Sequence, residues 1–375
     1  MAIRTLCARS LLNRTSTIST PFSNRSTILG AEVSVQSAPA TCARAQRKNS
    51  KLKIILAVST EFFPVLINWA SYYLALCGSD HLGDLFFLCM DKGPNDELKL
   101  MLGMQCDAII STGVYNSPLV SQGAESAARG VQSKIWFHRA EIAAQLLSGG
   151  YDVLLADLDA YWLRCPFPAI DALLAKGFDI VGSRGTFPDD VAERFNSTLC
   201  LGFAYFCASA GTVQIFSAAV EAMRAQVRPD DQVSINRLVF LDGRMVALGP
   251  NPNPDPNLFL DGRPVALGPT ADAFQGAFRM GARDLRLALL PTDVVTRSCN
   301  NKTWSAAHIA HCYSGDNLKR YKVKYQAART IGMWKVRRDW ENVLRRSHLV
   351  NNGTGSYIPS RLMQALTGPD YSFIK

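Results

Sequence analysis

The stretch Tyr151-Asp152-Val153-Leu154-Leu155-Ala156-Asp157-Leu158-Asp159-Ala160-Tyr161-Trp162-Leu163-Arg164 is an apolar strand pattern that ends in two carboxylates. In an extended chain residues i and i+2 point to the same side, so Asp157 and Asp159 repel each other unless a cation stands between them. Ligands of open α/β sheets bind beyond the carboxyl ends of the strands. A hard divalent ion is typically held there by one or two carboxylates and the phosphates of its substrate. The spacing therefore suggests a metal–diphosphate site. A pair of solvated or helix-capping aspartates is the alternative, weakened by the buried-strand pattern before it, since carboxylates beside a core strand need compensation.

Other residues that could do chemistry are less specific. Lys134 and Arg139 lie on a helical pattern just before the acidic strand and could approach a nucleotide, although a solvated helix face is the better account of Arg139. His308 and His311, each taken alone, fit a hydrogen-bonded structural role. The basic run Lys319, Arg320, Lys322 and Lys324 would help neutralise a leaving diphosphate, or is a surface stripe. The chain contains no Gly-x-x-x-x-Gly-Lys-Ser/Thr phosphate loop, no Gly-x-Gly-x-x-Gly, no His-Glu-x-x-His and no Gly-x-Ser-x-Gly, which removes the main sequence support for P-loop, dinucleotide-oxidoreductase and serine-hydrolase chemistry.

These residues need a frame to hold them. The 375 residues are 48% hydrophobic and 19% charged, as in soluble globular proteins, and suffice for one large domain. The net charge is +9, but residues 1–50 hold seven basic residues against Glu32 alone, leaving +3 for the other 325. That excludes the dense basic face of a nucleic-acid binder. From residue 53 onward short apolar strands, at 53–58, 85–89, 108–110, 153–157, 179–183 and 285–290, alternate with helical patterns such as 131–147 and 212–227, which predicts an α/β fold with a largely parallel sheet. Ile54 to Leu76 has Glu61 as its only charge and would pass for a signal anchor. Its pattern splits, however, into a buried strand at Ile54–Val58, a turn at Ser59–Glu61 and a helix with Val65, Trp69, Tyr72, Tyr73 and Leu76 at helical spacing. Strand plus helix is the expectation, and no membrane anchor is evident.

Residues 1–50, rich in Ser, Thr, Arg and Ala, look like a disordered or targeting leader; 51–345 form the expected catalytic domain, and 346–375 a tail. One repeat occurs: Phe240-Leu241-Asp242-Gly243-Arg244 through Pro250 recurs at Phe259 through Pro269, with alternating prolines between the copies. It reads as a duplicated surface insertion over 240–270, with the domain resuming near Leu285. Ten cysteines without a Cys-x-x-Cys pair exclude a zinc ribbon; Cys299–Cys312 and Cys200–Cys207 are candidate disulfides, and connectivity stays open.

From Lys134 to Pro168 the chain resembles the nucleotide-diphospho-sugar transferase family that includes plant cell-wall xylosyl-, arabinosyl- and galactosyltransferases. Further matching pieces follow in the family's order over about 53–340: Ile54–Trp69, Phe178-Asp179-Ile180-Val181, Leu201-Gly202-Phe203-Ala204-Tyr205, Asp231-Gln232, Leu289-Leu290-Pro291 and His308–Lys319. The sequence departs at Leu201, where the family often has Asn, and in the spacing to Gly315. The resemblance implies a GT-A-like (Rossmann-like) single catalytic domain, with a mostly parallel sheet flanked by helices. It makes Asp157, Asp159 and His311 a metal shell, with His308 less favoured, and puts Asp157, Asp159, Lys134 and Lys319 near the nucleotide. Two carboxylates and an imidazole suit Mn2+, or Mg2+. Asp231 and Gln232 match the family's Asp-Gln pair and would orient sugar or acceptor; as helix-start residues they need no function.

The implied activity is metal-dependent transfer, with retention, of a hexosyl or pentosyl group from a nucleotide-diphospho-sugar, a UDP-sugar, to a glycan or glycoprotein hydroxyl. A haloacid-dehalogenase-like phosphatase also places Asp-x-Asp at a strand end, though Tyr161 stands where that family has Thr or Val. A non-catalytic carbohydrate-binding relative is the third possibility. Family resemblance points to the Golgi or endomembrane lumen, where sequons at Asn196, Asn301 and Asn352 would be usable; the leader suggests another organelle.

Overall fold

The computed structural model describes residues 51–343 apart from 78, 91, 111–123, 227–228, 244–245, 248–274, 281–282, 293, 298–306, 312–320 and 331. Twelve strands are described: β1 (Lys51–Val58), β2 (Leu85–Cys89), β3 (Ala108–Ile109), β4 (Tyr151–Ala156), β5 (Ala160–Trp162), β6 (Ile180–Gly185), β7 (Thr198–Phe206), β8 (Val246–Ala247), β9 (Gln275–Met280), β10 (Arg283–Leu290), β11 (Val295–Thr296) and β12 (Ile309–His311). The helices are α1 (Phe63–Cys77), α2 (Gly93–Leu102), α3 (Ala124–Ser148), α4 (Phe167–Leu174), α5 (Asp189–Phe195), α6 (Ala210–Arg224), α7 (Asp231–Asn236) and α8 (Tyr321–Thr330).

Nine strands form one sheet in the order β3-β2-β1-β4-β7-β6-β10-β9-β8. β7 and β9 run against the other seven, so the sheet is mostly parallel, as expected. Helices cover both faces. One apolar layer gathers Val65, Trp69, Tyr73, Leu98, Trp162 and Ile170 over one face; the other gathers Phe137, Ile142, Ile215, Phe216, Ile235 and Phe240. The six predicted strands all form, within a few residues at their ends. β7 was expected only as a motif. Its nine residues, TLCLGFAYF, are all buried, as a strand enclosed on both faces must be.

The ambiguous Ile54–Leu76 stretch divides into β1 and α1, and among the described residues no helix is long and apolar enough to cross a membrane. Twelve consecutive residues of α1, from Phe63 to Leu74, are buried, which accounts for a span-like composition without a span. Inside this helix Asn68 is fully buried. Its Nδ2 donates to the Met333 carbonyl (3.1 Å) and its Oδ1 accepts from the Lys335 amide (2.7 Å), while the Tyr72 hydroxyl donates to Met333 O (2.9 Å).

Two expectations are corrected. Cys200 is a free buried thiol, so the Cys200–Cys207 pair does not form; Cys89 and Cys106 are bonded instead, joining the end of β2 to the loop that leads from α2 into β3, and Cys207 is also disulfide-bonded. Cys299 and Cys312 lie outside the described residues. The first repeat copy is not a surface insertion at its start: Phe240 is 1% exposed within a π-helical turn, Arg237–Asp242, and β8 pairs with β9. The sheet resumes at Gln275, before Leu285. The second copy, the leader and the tail 346–375 lie outside the described residues.

Candidate active site

The acidic motif is a turn between two sheets. β4 ends at Ala156, the Asp157 amide continues the ladder by donating to Gly202 O (2.8 Å), and the Ala160 amide closes the turn on Asp157 O (3.0 Å). Leu158 goes into the core, 6% exposed, while Asp157 and Asp159 on either side of it both point at His311. β5 then starts a small sheet of order β11-β12-β5, in which His311 pairs with Ala160. That register delivers the imidazole to the carboxylates: His311 Nε2 is 3.6 Å from Asp157 Oδ2 and 3.7 Å from Asp159 Oδ1. One ligand atom from each of Asp157, Asp159 and His311 lies within 4.8 Å of the others. His308, the less favoured histidine, has its Nδ1 3.1 Å from Cys165 O.

The donor set and its cradle both fit a hard divalent cation. Two carboxylates and one imidazole are oxygen and nitrogen ligands of the kind that Mn2+ and Mg2+ take. Gly202 faces them from β7, where a Cβ would stand 2.1 Å from His311 Cε1 and 2.7 Å from Asp157 Oδ2. The missing side chain is therefore what lets the imidazole and carboxylate approach this strand.

Cationic side chains close the site. Lys324 of α8 donates to Asp159 Oδ2 at 2.5 Å. Burial alone would raise the Asp159 carboxyl, but Lys324 and His311 outweigh it and hold it down at about 2. Arg139 of α3 is not a solvated helix-face residue: it is 6% exposed. Its Nη1 donates to Asp157 Oδ1 (3.1 Å), and its Nε and Nη2 donate to Asp231 Oδ2 and Oδ1 (2.6 and 3.0 Å). Burial pushes the Asp231 carboxyl up to about 6, with Arg139 opposing; the two-point bond keeps the pair ionised at neutral pH.

The Asp-Gln pair sits at the start of α7, with Asp230 as N-cap accepting from the Val233 amide (3.0 Å). Asp231 is 1% exposed and spends both oxygens on Arg139. The Gln232 amide bridges two backbones, donating to Phe187 O (2.9 Å) and accepting from Leu201 N (3.2 Å). Lys134 is half-buried on α3, five residues before Arg139 and so about 140° around the helix from it. Lys319 lies outside the described residues.

Behind His311 stand two residues to which the sequence reading gave no place in the site. Arg297, just after β11, has its Nη1 2.9 Å from His311 Nδ1 and 2.7 Å from Cys200 Sγ, and Cys200 Sγ is 3.8 Å from the same Nδ1. Burial would raise the Cys200 thiol, yet Arg297 and His311 bring it down to about 6.

The carboxylate–imidazole cluster thus lies at the carboxyl end of a central strand of the α/β sheet, with three ligand atoms placed so that they could hold a metal ion. The sequence profile described as nucleotide-diphospho-sugar transferase matches residues 81–322, which is 242 of the 375. The chain belongs to that family. Among solved structures, the glycosyltransferase GlyE of Streptococcus pneumoniae TIGR4 is similar at 14% identity, covering 51% of this chain and 43% of that one with a TM-score of 0.31. The apo form of GlyE gives 12%, 52%, 44% and 0.30. The chain thus aligns with less than half the length of GlyE. No curated protein matches the chain.

Proposed function

We propose that this protein is a glycosyltransferase that moves a sugar from a UDP-sugar to a hydroxyl of a glycan or glycoprotein, with Mn2+ or Mg2+ held by Asp157, Asp159 and His311. The observation that carries this is the convergence of those three ligand atoms within 4.8 Å, beyond the end of β4 where sheet enzymes of this kind bind phosphates. A divalent cation bound there supplies Lewis-acid neutralisation of the leaving diphosphate.

Lys324 sits beside Asp159 and faces the same charge; with the donor in place its ammonium turns to the diphosphate, joined by Lys319 as the family resemblance implies. Arg139 fixes one oxygen of Asp157 and leaves the other towards the cation position. Asp231 holds Arg139, and Gln232 ties the Phe187 loop to β7, so both act as positioning residues for the sugar side of the cleft. Retention at the anomeric carbon is taken from the family resemblance, as is transfer of either a hexosyl or a pentosyl group. The domain is one catalytic unit over 51–345. It works in the endomembrane lumen, which the Cys89–Cys106 disulfide and the exposed Asn196 sequon favour because disulfides persist in oxidising compartments.

The phosphatase alternative needs its first aspartate free to attack phosphorus. Here Asp157 has one oxygen on Arg139 and the other towards His311, which favours the transferase. The test is calorimetric titration of UDP into the full chain, with and without Mn2+, beside an Asp157→Ala/Asp159→Ala variant. Mn2+-dependent binding that the variant loses is expected. Folded wild-type protein that binds no UDP under either condition would overturn the proposal.

A further inference from the structure

Among the described residues the only large apolar side chain left exposed is Phe187, at 46%. A single exposed apolar residue needs no explanation by itself, but this one is held in place beside the candidate active site. Only Thr186 and Phe187 lie between the end of β6 at Gly185 and Pro188, the N-cap of α5. The Phe187 carbonyl accepts from Gln232 Nε2 (2.9 Å), and Oε1 of the same carboxamide accepts from the Leu201 amide (3.2 Å). Leu201 precedes Gly202, the residue whose missing Cβ faces His311 and Asp157. One side-chain amide therefore spans the gap between the Phe187 backbone and the strand that backs the carboxylate–imidazole cluster.

The topology decides which side of the cluster this is. β1 is parallel to β2 on one side and to β4 on the other. β2 and β3 continue outward on the first side, so the strand order reverses between β1 and β4. A nucleotide binds beyond the carboxyl ends of the strands at such a reversal, which puts it on the β1 side of Asp157. β6 lies on the opposite side, beyond β7. Because β4 and β6 both run against β7, their carboxyl ends share one edge of the sheet, about 10 Å apart at two strand spacings. The cluster thus stands between the nucleotide crevice and Phe187. The space over β7 is left for the sugar that departs from the diphosphate and the residue that receives it.

We propose that the Phe187 ring is the stacking platform of an acceptor subsite, and that it takes the apolar face of a pyranosyl residue in the glycan that receives the transferred sugar. The C–H hydrogens on that face carry a slight positive charge and meet the negative face of the aromatic ring. The contact also removes apolar surface of both rings from water. Sugar hydroxyls project from the edge of the pyranose, so a residue seated face-on keeps them outside the contact and open to reaction. The inference rests on the transferase reading above, and its test separates the two.

The experiment uses the full chain with UDP and Mg2+, and methyl β-D-galactopyranoside and methyl β-D-xylopyranoside as probes. Saturation-transfer NMR reads which probe protons touch the protein, and calorimetry reads UDP affinity. Wild type should pass saturation to the C–H protons of one ring face. Phe187→Ala should weaken probe binding about 10-fold and bind UDP as wild type does, while Phe187→Trp, which keeps an aromatic face, should retain the probes. Wild type that binds UDP but passes no saturation to either probe, or equal probe binding by wild type and Phe187→Ala, would overturn the subsite and leave the transferase reading standing. UDP affinity that falls in Phe187→Ala along with probe binding would assign the ring to the donor and overturn the subsite in the same way. Folded wild type that binds no UDP would overturn the transferase reading and the subsite together.

Discussion

Gly202→Ala is the smallest change that should disable the site while leaving the fold. The added Cβ would lie 2.1 Å from His311 Cε1, 2.8 Å from its Nδ1 and 2.7 Å from Asp157 Oδ2. Carbon atoms rest at about 3.5–4.0 Å, so the ring must retreat by roughly 1.4 Å or more. That exceeds what neighbouring atoms give by relaxation, and a 1 Å misplacement of a catalytic group costs about 100-fold in rate. We therefore expect kcat/KM for donor turnover, followed as UDP release, to fall about 100-fold or more, equivalent to roughly 2.7 kcal/mol, together with weaker Mn2+ binding. Stability should fall by about 2 kcal/mol at most, because alanine restricts the unfolded chain by about 0.5–1 kcal/mol relative to glycine and offsets part of an overpacking cost of about 1–3 kcal/mol. Adding His311→Ala removes much of the clash, so thermal stability should recover in the double variant and activity should not. A folded Gly202→Ala protein with Mn2+ affinity and turnover within about 3-fold of wild type would refute the reasoning.

Two further outcomes follow from the ion pairs. Asp231→Asn leaves Arg139 buried with one carboxylate where it had two, and breaking such a pair costs about 3–5 kcal/mol; a urea melt should show it, and turnover should fall as Asp157 loses its anchor. Lys324→Met tests Asp159, whose folded pKa of about 2 lies below the unfolded value of about 3.9. The stabilisation is therefore present above about pH 4 and lost as the pH falls through 2. Each tenfold difference in proton affinity between the folded and unfolded chain is about 1.4 kcal/mol, which makes the whole effect roughly 2.6 kcal/mol. Melts of wild type and variant should differ at pH 7 and draw together at pH 2; an equal gap at both would refute it.

The parts of the site written in local pattern were legible, and the parts made by strand pairing were not. Asp157 and Asp159 follow an apolar strand, so the local pattern puts both at its carboxyl end, although they come together through the turn closed by the Ala160 amide and not through strand alternation. His311 comes from 152 residues beyond Asp159, and only resemblance to a family connects them in sequence; the physical link is the β5–β12 register. Arg139 carried a usable signal. It lies four residues after Ile135 and three before Ile142, on the core-facing stripe of α3, where a charge must be paired. Arg297 carried none, since its position depends on β11 lying beside β12. The α/β class and the strands were readable from apolar runs, but the reversed direction of β7 was not, because direction belongs to the pairing. Phe240 was misread for a related reason: the repeat looked like an added surface segment, while its first copy is anchored in the core.

The bonds of Asn68 bear on when the molecule can be completed during synthesis. They join α1 to backbone groups 265 and 267 residues later, which leave the ribosome long after it. Until residue 335 has emerged, the amide of Asn68 has neither of these partners, and a buried polar group without one costs about 1–3 kcal/mol. The nascent chain therefore has a reason to keep α1 loosely seated against the growing sheet. His311 and Lys324 emerge shortly before that same point, so completion of the carboxylate–imidazole cluster and the final seating of α1 arrive together.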